Sequence, residues 1–184
     1  MKVPTLTPET APETARDLLS AVNKKLGFTP NLLGKMAHAP SVLKAYLQLS
    51  ELFSQTSLSP VQRHVVLLSI SRENGCHYCM AAHSALAKMD GVDHEVVESL
   101  REGKPIGDEA LEALAELAVE LVERRGWPKA ETLDRFLASG YTQAQVLEVI
   151  LGVAFKTLSN YCNHVLETEV DPQFAPHTWQ PAET

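Results

Sequence analysis

Glu73-Asn74-Gly75-Cys76-His77-Tyr78-Cys79-Met80-Ala81-Ala82-His83 places two thiols three residues apart and an imidazole four residues beyond the second. On an α-helix those offsets stack all three groups along one stripe. Neighbouring thiols can cycle between dithiol and disulfide, and a histidine at i+4 can take a proton from the nearer one. Asn74-Gly75 is a turn or helix-stop signal, so the spacing predicts Cys76 and Cys79 in the first turn of a new helix. Unpaired backbone N–H groups there favour a thiolate over a thiol. A thioredoxin-like motif also has two cysteines flanking two residues, but it follows a strand. Here the preceding segment reads as a helix: Ser59-Pro60-Val61-Gln62 supplies a cap, a first-turn proline and a glutamine three residues on. A c-type haem attachment needs histidine directly after the second cysteine, where this chain has Met80. The stretch reads as a redox centre held between helices.

Outward from it, nearly every boundary is a helix boundary. Ala15, Leu18, Leu19, Val22 and Leu26 share one helical face that stops at Gly27. Thr29-Pro30 opens a short helix through Leu32, Leu33 and Met36, and another carries Leu43, Tyr46, Leu47 and Leu52. Val65, Leu68 and Ile70 follow the Ser59 cap, and the thiol helix runs on to about Lys88. Asp93 caps Val96, Val97 and Leu100. Asp108 caps an amphipathic helix with Leu111, Leu114, Leu117, Ala118 and Leu121 inward and Glu112, Glu116 and Glu120 outward, stopped by Gly126-Trp127-Pro128. A short helix surrounds Leu133. Thr142-Gln143-Ala144-Gln145 is a second capping box, and Val146 to Leu166 is apolar on nearly every side, as in a helix buried all round at a bundle centre or subunit interface. No alternating β-branched run is long enough for a sheet. The expectation is an all-α helical bundle: one domain over residues 1–184, with a core of about 12–170 and an extended tail over 171–184 containing Pro172, Pro176 and Pro181.

The chain has 184 residues, 45% of them hydrophobic, and a net charge of -7. That composition suits one globular domain and disfavours nucleic acid, which needs a basic surface. No apolar run approaches the ~20 residues of a membrane span. The N-terminus lacks the pattern of a signal peptide. Three cysteines are too few, and odd in number, for a disulfide scaffold, which points to the cytoplasm.

Other candidates have bland readings beside the functional ones. Cys76, Cys79 and His83 with Cys162 or His164 could bind zinc, although Cys162-Asn163-His164 is not a zinc knuckle. Buried structural thiols are a further alternative. His64 falls on an apolar face, where an imidazole is usually a hydrogen-bonded core group. Tyr78 can cover the thiols or donate a hydrogen bond to a substrate, and His77 is expected to be exposed. Arg72 and Glu73 read either as a solvated helix end or, for Arg72, as charge favouring a thiolate. His94 and His177 lie near loops without a nameable partner. Asn160, Tyr161, Cys162, Asn163 and His164 form a polar cluster after a long apolar run. A helix-end or interface network is the preferred reading of it, ahead of a substrate role. Cys162 reads as a passive thiol.

At the motif and its flanking helices, the chain resembles the alkylhydroperoxidase D-like branch of the carboxymuconolactone decarboxylase superfamily. The match is best from Ser59 through Lys88, where an Arg-x-Val-Val-Leu-type helix, two thiols and a histidine occur in order. It extends more loosely to Thr29-Pro30-Asn31-Leu32-Leu33 and the Asn160-to-His164 cluster. The resemblance implies an all-helical subunit assembling into dimers, trimers or hexamers. It also implies reduction of hydroperoxides or disulfides. The sequence carries no flavin, nicotinamide or metal motif, so the thiols would be the whole redox apparatus and no cofactor is expected. Cys79 would attack the peroxide, Cys76 would resolve the sulfenic acid, and His83 would belong to a proton relay. A lipoyl-bearing or small dithiol protein would be the reductant. The relay glutamate of that family is expected twelve residues before Cys76, where this chain has His64. Two other classes stay open: an acid–base lyase of the decarboxylase type, which needs no thiol pair, and a non-catalytic redox sensor.

Overall fold

The computed structural model describes residues 1–180. Among these the chain forms α1 (Glu13–Leu26), α2 (Asn31–Met36), α3 (Pro40–Ser54), α4 (Pro60–Glu73) and α5 (His77–Met89). After them come α6 (His94–Glu102), α7 (Glu109–Glu123), α8 (Ala130–Ala138), α9 (Gln143–Leu166) and a 3-10 turn over Ala175–His177, with no strand. The all-α expectation holds.

The helix starts follow the sequence closely. Ser59 and Gln62 exchange bonds as a capping box on α4, and Thr142 and Gln145 do the same on α9. Asp93 and Asp108 accept from backbone N–H groups opening α6 and α7. Each such cap contributes about 1 kcal/mol. Gly27 and Gly103 close α1 and α6 in the left-handed conformation.

Two apolar clusters share the interior. One gathers Leu68 of α4, Leu114 and Leu117 of α7, Phe136 of α8 and Val149 and Phe155 of α9. The other joins Leu19 of α1, Leu32 and Met36 of α2 and Leu43 of α3 to Cys76, Cys79, Ala81 and Phe174. The thiols therefore lie in a core rather than in a surface groove. Gly152 lets α9 approach closely, because a Cβ there would fall 2.7 Å from Val66 Cγ1 and 2.9 Å from Phe53 Cε2.

Three details depart from the expectation. Glu120 is buried, because it accepts from the Lys129 backbone and pairs with Lys129 and Arg124. The long helix α9 is not buried all round: Leu147, Ile150, Tyr161 and Val165 are exposed, since no other helix among the described residues covers that face. The tail is not simply extended. Tyr78 Oη donates to Asp171 Oδ2 at 2.6 Å, Trp179 Nε1 donates to Arg101 O, and the 3-10 turn packs on α5. Residues 181–184 of the expected tail, Pro181 included, lie outside the described residues.

Candidate active site

Where α4 ends, Asn74 keeps helical angles, Gly75 takes φ +61° and Cys76 becomes the N-cap of α5. The break turns the chain while keeping Cys76, Cys79 and His83 in helical register. All three are buried, with Cys76 at 0% and Cys79 at 2% exposure. The stripe faces a second one on α9, formed by Lys156, Ser159, Asn160 and Asn163 at offsets of three, four and seven residues, all buried. The two helices pair in opposite directions along this seam. Asn163 Nδ2 donates to Cys79 Sγ at 3.2 Å and lies 3.8 Å from Cys76 Sγ. Ser159 Oγ is 3.9 Å from Cys79 Sγ, and Lys156 Nζ is 2.8 Å from His83 Nε2. Asn74 Nδ2 donates to Asn160 Oδ1 at 2.9 Å, which ties the α4–α5 break to α9.

The electrostatics divide the thiols. Burial alone would raise Cys79, but the hydrogen bond from Cys76 and the charge of Lys156 outweigh it and hold the pKa at about 5. Cys76 moves the other way, pushed up by its bond to Cys79 and by burial, and so keeps its proton. One thiolate next to one thiol is the arrangement a dithiol needs to attack and then resolve. His83 is held well below the ordinary histidine range by burial, by the charge of Lys156 and by His64.

The remaining expected residues fall in different places. His64 is buried on α4, with Nε2 2.7 Å from Asp90 Oδ2. Its Nδ1 and that of His83 are both buried without a partner among the described residues. Tyr78 is buried and its hydroxyl is engaged by Asp171, which in turn accepts from Asn31 N. Arg72 does not reach the thiols, because its guanidinium packs on Gly103 at the end of α6. Glu73 is exposed, as is His77, whose Nδ1 meets Trp179 O at 3.0 Å. His94 faces Glu98, and His177 sits in the 3-10 turn. His164 is exposed, and among the described residues no three His, Cys, Asp or Glu side chains are grouped as metal ligands. Cys162 is half-buried against the thiol core, and burial and the charge of Cys79 raise its pKa.

The Asn160-to-His164 cluster divides between two directions, and Asn160 joins the end of α4 through Asn74. Asn163 and Asn160 point into the thiol seam, while Tyr161 and His164 point out. Sequence reasoning missed Lys156 and Ser159 altogether. Their signal was a lysine and a serine at core register within an apolar run, seven and four residues before Asn163.

The helical fold that carries this site has counterparts among solved structures. An alkylhydroperoxidase AhpD core structure, an uncharacterized peroxidase-related protein from Ralstonia eutropha JMP134, matches with TM-score 0.84 and 20% identity, over 94% of this chain and 93% of that one. A peroxidase-related protein from Silicibacter sp. TM1040 matches with TM-score 0.80 and 18% identity, over 95% and 92%. A debrominase in complex with 2,3,4-tribromopyrrole matches with TM-score 0.76 and 17% identity, over 90% and 89%. These likenesses define the fold as AhpD-like. Residues 40–120 match the model of the Carboxymuconolactone decarboxylase family. No curated protein matches the sequence.

Proposed function

We propose that the protein is a thiol-dependent peroxidase that reduces hydroperoxides through a Cys76–Cys79 dithiol–disulfide cycle. The observation carrying this reading is the buried Cys76–Cys79 pair in one helical register with Asn163 reaching both sulfurs, in surroundings that favour the thiolate at Cys79 and the thiol at Cys76. Cys79 attacks the outer peroxide oxygen, the O–O bond breaks, and the sulfur becomes a sulfenic acid. Cys76 then displaces water from that sulfur, and an external dithiol, of the lipoyl or small-protein kind, reduces the disulfide. None of these steps calls for a bound cofactor. His83, one turn on from Cys79, is the residue the resemblance assigns to a proton relay, with His64 and Asp90 behind it. Work in the cytoplasm suits a centre that must be reduced again after each turnover. No helix among the described residues is long and apolar enough to cross a membrane. The exposed Leu147, Ile150, Tyr161 and Val165 of α9 offer a face for a second copy of the chain.

Thiol titration and intact mass before and after one equivalent of cumene hydroperoxide test the reading. Loss of two thiols and two mass units, abolished in Cys79→Ser, is the expected result. Thiols that stay reduced would remove the peroxidase and leave an acid–base lyase as the function to pursue. Oxidation without turnover under a dithiol, accompanied by a change in oligomer size, would instead make the protein a sensor.

A further inference from the structure

The family resemblance gives the thiol's proton to His83, and the seam between α5 and α9 is built otherwise. Lys156 is fully buried, and its Nζ sits 2.8 Å from His83 Nε2. An ammonium has three donors and no acceptor, so Nε2 must accept and the ring proton of a neutral His83 must sit on Nδ1. The face of His83 that would take a proton from Cys79 is thereby occupied. Lys156 also lies three and seven residues from Ser159 and Asn163, which both touch the Cys79 sulfur.

We propose that Lys156, rather than His83, is the counter-ion of the Cys79 thiolate and the acid that protonates the leaving oxygen. His83 is a positioning residue that aims the ammonium. The shift of Cys79 toward the thiolate, with Lys156 among its causes by charge and by hydrogen bonding, agrees with this. A buried ammonium with no carboxylate partner among the described residues needs an anion, and the thiolate supplies one. The titratable groups acting around this sulfur are Cys76 and His83 on α5, Lys156 and Cys162 on α9, and Tyr46 on α3. His64, paired with Asp90, acts on His83 from α4.

The proposal rests on the peroxidase reading, and its protons balance. Cys79-S⁻ attacks ROOH, forming the S–O bond and breaking O–O. The sulfur is oxidised by two electrons, the peroxide is reduced, and Lys156 gives one proton to RO⁻ to release ROH. Cys76-SH then displaces the sulfenic hydroxyl, and its proton leaves with that hydroxyl as water. When an external dithiol reduces the disulfide, one of its two protons returns to Cys76 and the other to Lys156. The cycle closes with no other proton source.

The test begins without peroxide, following the ultraviolet absorbance of the thiolate against pH. Wild-type protein should show an acid-side transition near pH 5. In Lys156→Met that transition should rise toward the free-thiol value of about 8.5, lowering the thiolate fraction at pH 7 by about 30-fold. Lys156→Arg should keep it low, and His83→Gln should leave it low. A shift in His83→Gln as large as that in Lys156→Met would overturn the assignment. Should Lys156→Met fail to fold, nitrogen NMR of wild-type His83 decides. A neutral ring protonated on Nδ1 supports the proposal, and an imidazolium or an Nε2-protonated ring refutes it. At alkaline pH, where both proteins hold the thiolate, Lys156→Met should still react with cumene hydroperoxide about 100-fold more slowly. Equal rates there would remove the acid role. The titration and the NMR stand whether or not peroxide is the substrate, so the two readings fail separately.

Discussion

The two halves of α9 present the same inward register and opposite contents. Through Phe155 the inward positions are Val149, Gly152 and Phe155, packed on Phe53 and Val66. From Lys156 onward they are Lys156, Ser159, Asn160 and Asn163, equally buried, facing two thiols and an imidazole. The first half stabilises by apolar contact, which is non-directional and tolerant. The second half gives up part of that contact for groups whose worth depends on distance and charge. Among the described residues it even leaves Asn160 Nδ2 and Asn163 Oδ1 without protein partners. Orphaned buried groups of this kind destabilise unless something satisfies them. Their concentration in one half of one helix marks where the fold was bent toward chemistry.

That contrast can be broken most forcefully at Gly152. Gly152→Val should destabilise by about 3 kcal/mol through overpacking against Val66 and Phe53, lowering the melting temperature by roughly 6–12 °C. Below that melting point the thiolate titration should be that of the wild type. A shifted titration in this variant would show that the two halves are not separable. Asn163→Leu makes the polar half resemble the apolar one. It should leave thermal stability within about 1 kcal/mol, since an orphaned carbonyl goes with the lost bond. Peroxide-dependent disulfide formation should slow by about 10- to 30-fold, the loss of one hydrogen bond to a charged sulfur. An unchanged rate would separate Asn163 from the reaction.

The mildest contrast is with pH, read as melting temperature across a buffer series. Cys79 ionises near 5 in the folded chain and near the free-thiol value of about 8.5 unfolded. Its contribution is therefore complete above the unfolded value and declines as pH falls toward 5. His83, held low, adds to the loss once the unfolded chain can protonate its histidine, below about 6.5. Cys76, held high, works in the opposite sense, since above about 8.5 the unfolded chain releases a proton the native state keeps. Stability should peak on the alkaline side of neutrality and fall on both sides. Cys79→Ser should flatten the acid slope, and Gly152→Val should not.

Much of the fold was legible because each helix announced its own ends. Ser59, Asp93, Asp108 and Thr142 cap where sequence reasoning placed them, and Gly27 stops α1 by a left-handed turn. The α5 half of the site was legible for the same local reason, three chemical residues in one helical register. The α9 half was not, because a buried lysine looks like any lysine until its partner across the seam is known. Of the two readings of Arg72, a helix end or a charge beside the thiols, the second failed for a different reason. Its sequence neighbours suggested the thiols, but the turn at Gly75 carries α5 away and leaves the guanidinium on Gly103. Glu120 followed the polar spacing of its helix, and only the loop bearing Lys129 buries it.

The two stripes of the seam lie far apart along the chain, with His83 and Lys156 separated by 73 residues. Loop closure over such a span is completed only as the whole bundle docks. Before that event Cys76 and Cys79 are ordinary thiols, mostly protonated near neutrality and slow toward oxidants. Reactivity is therefore acquired on folding, together with burial in a core that limits which molecules can reach it. A chain still assembling would be protected from oxidising its own cysteines by the absence of the lysine that later makes one of them reactive.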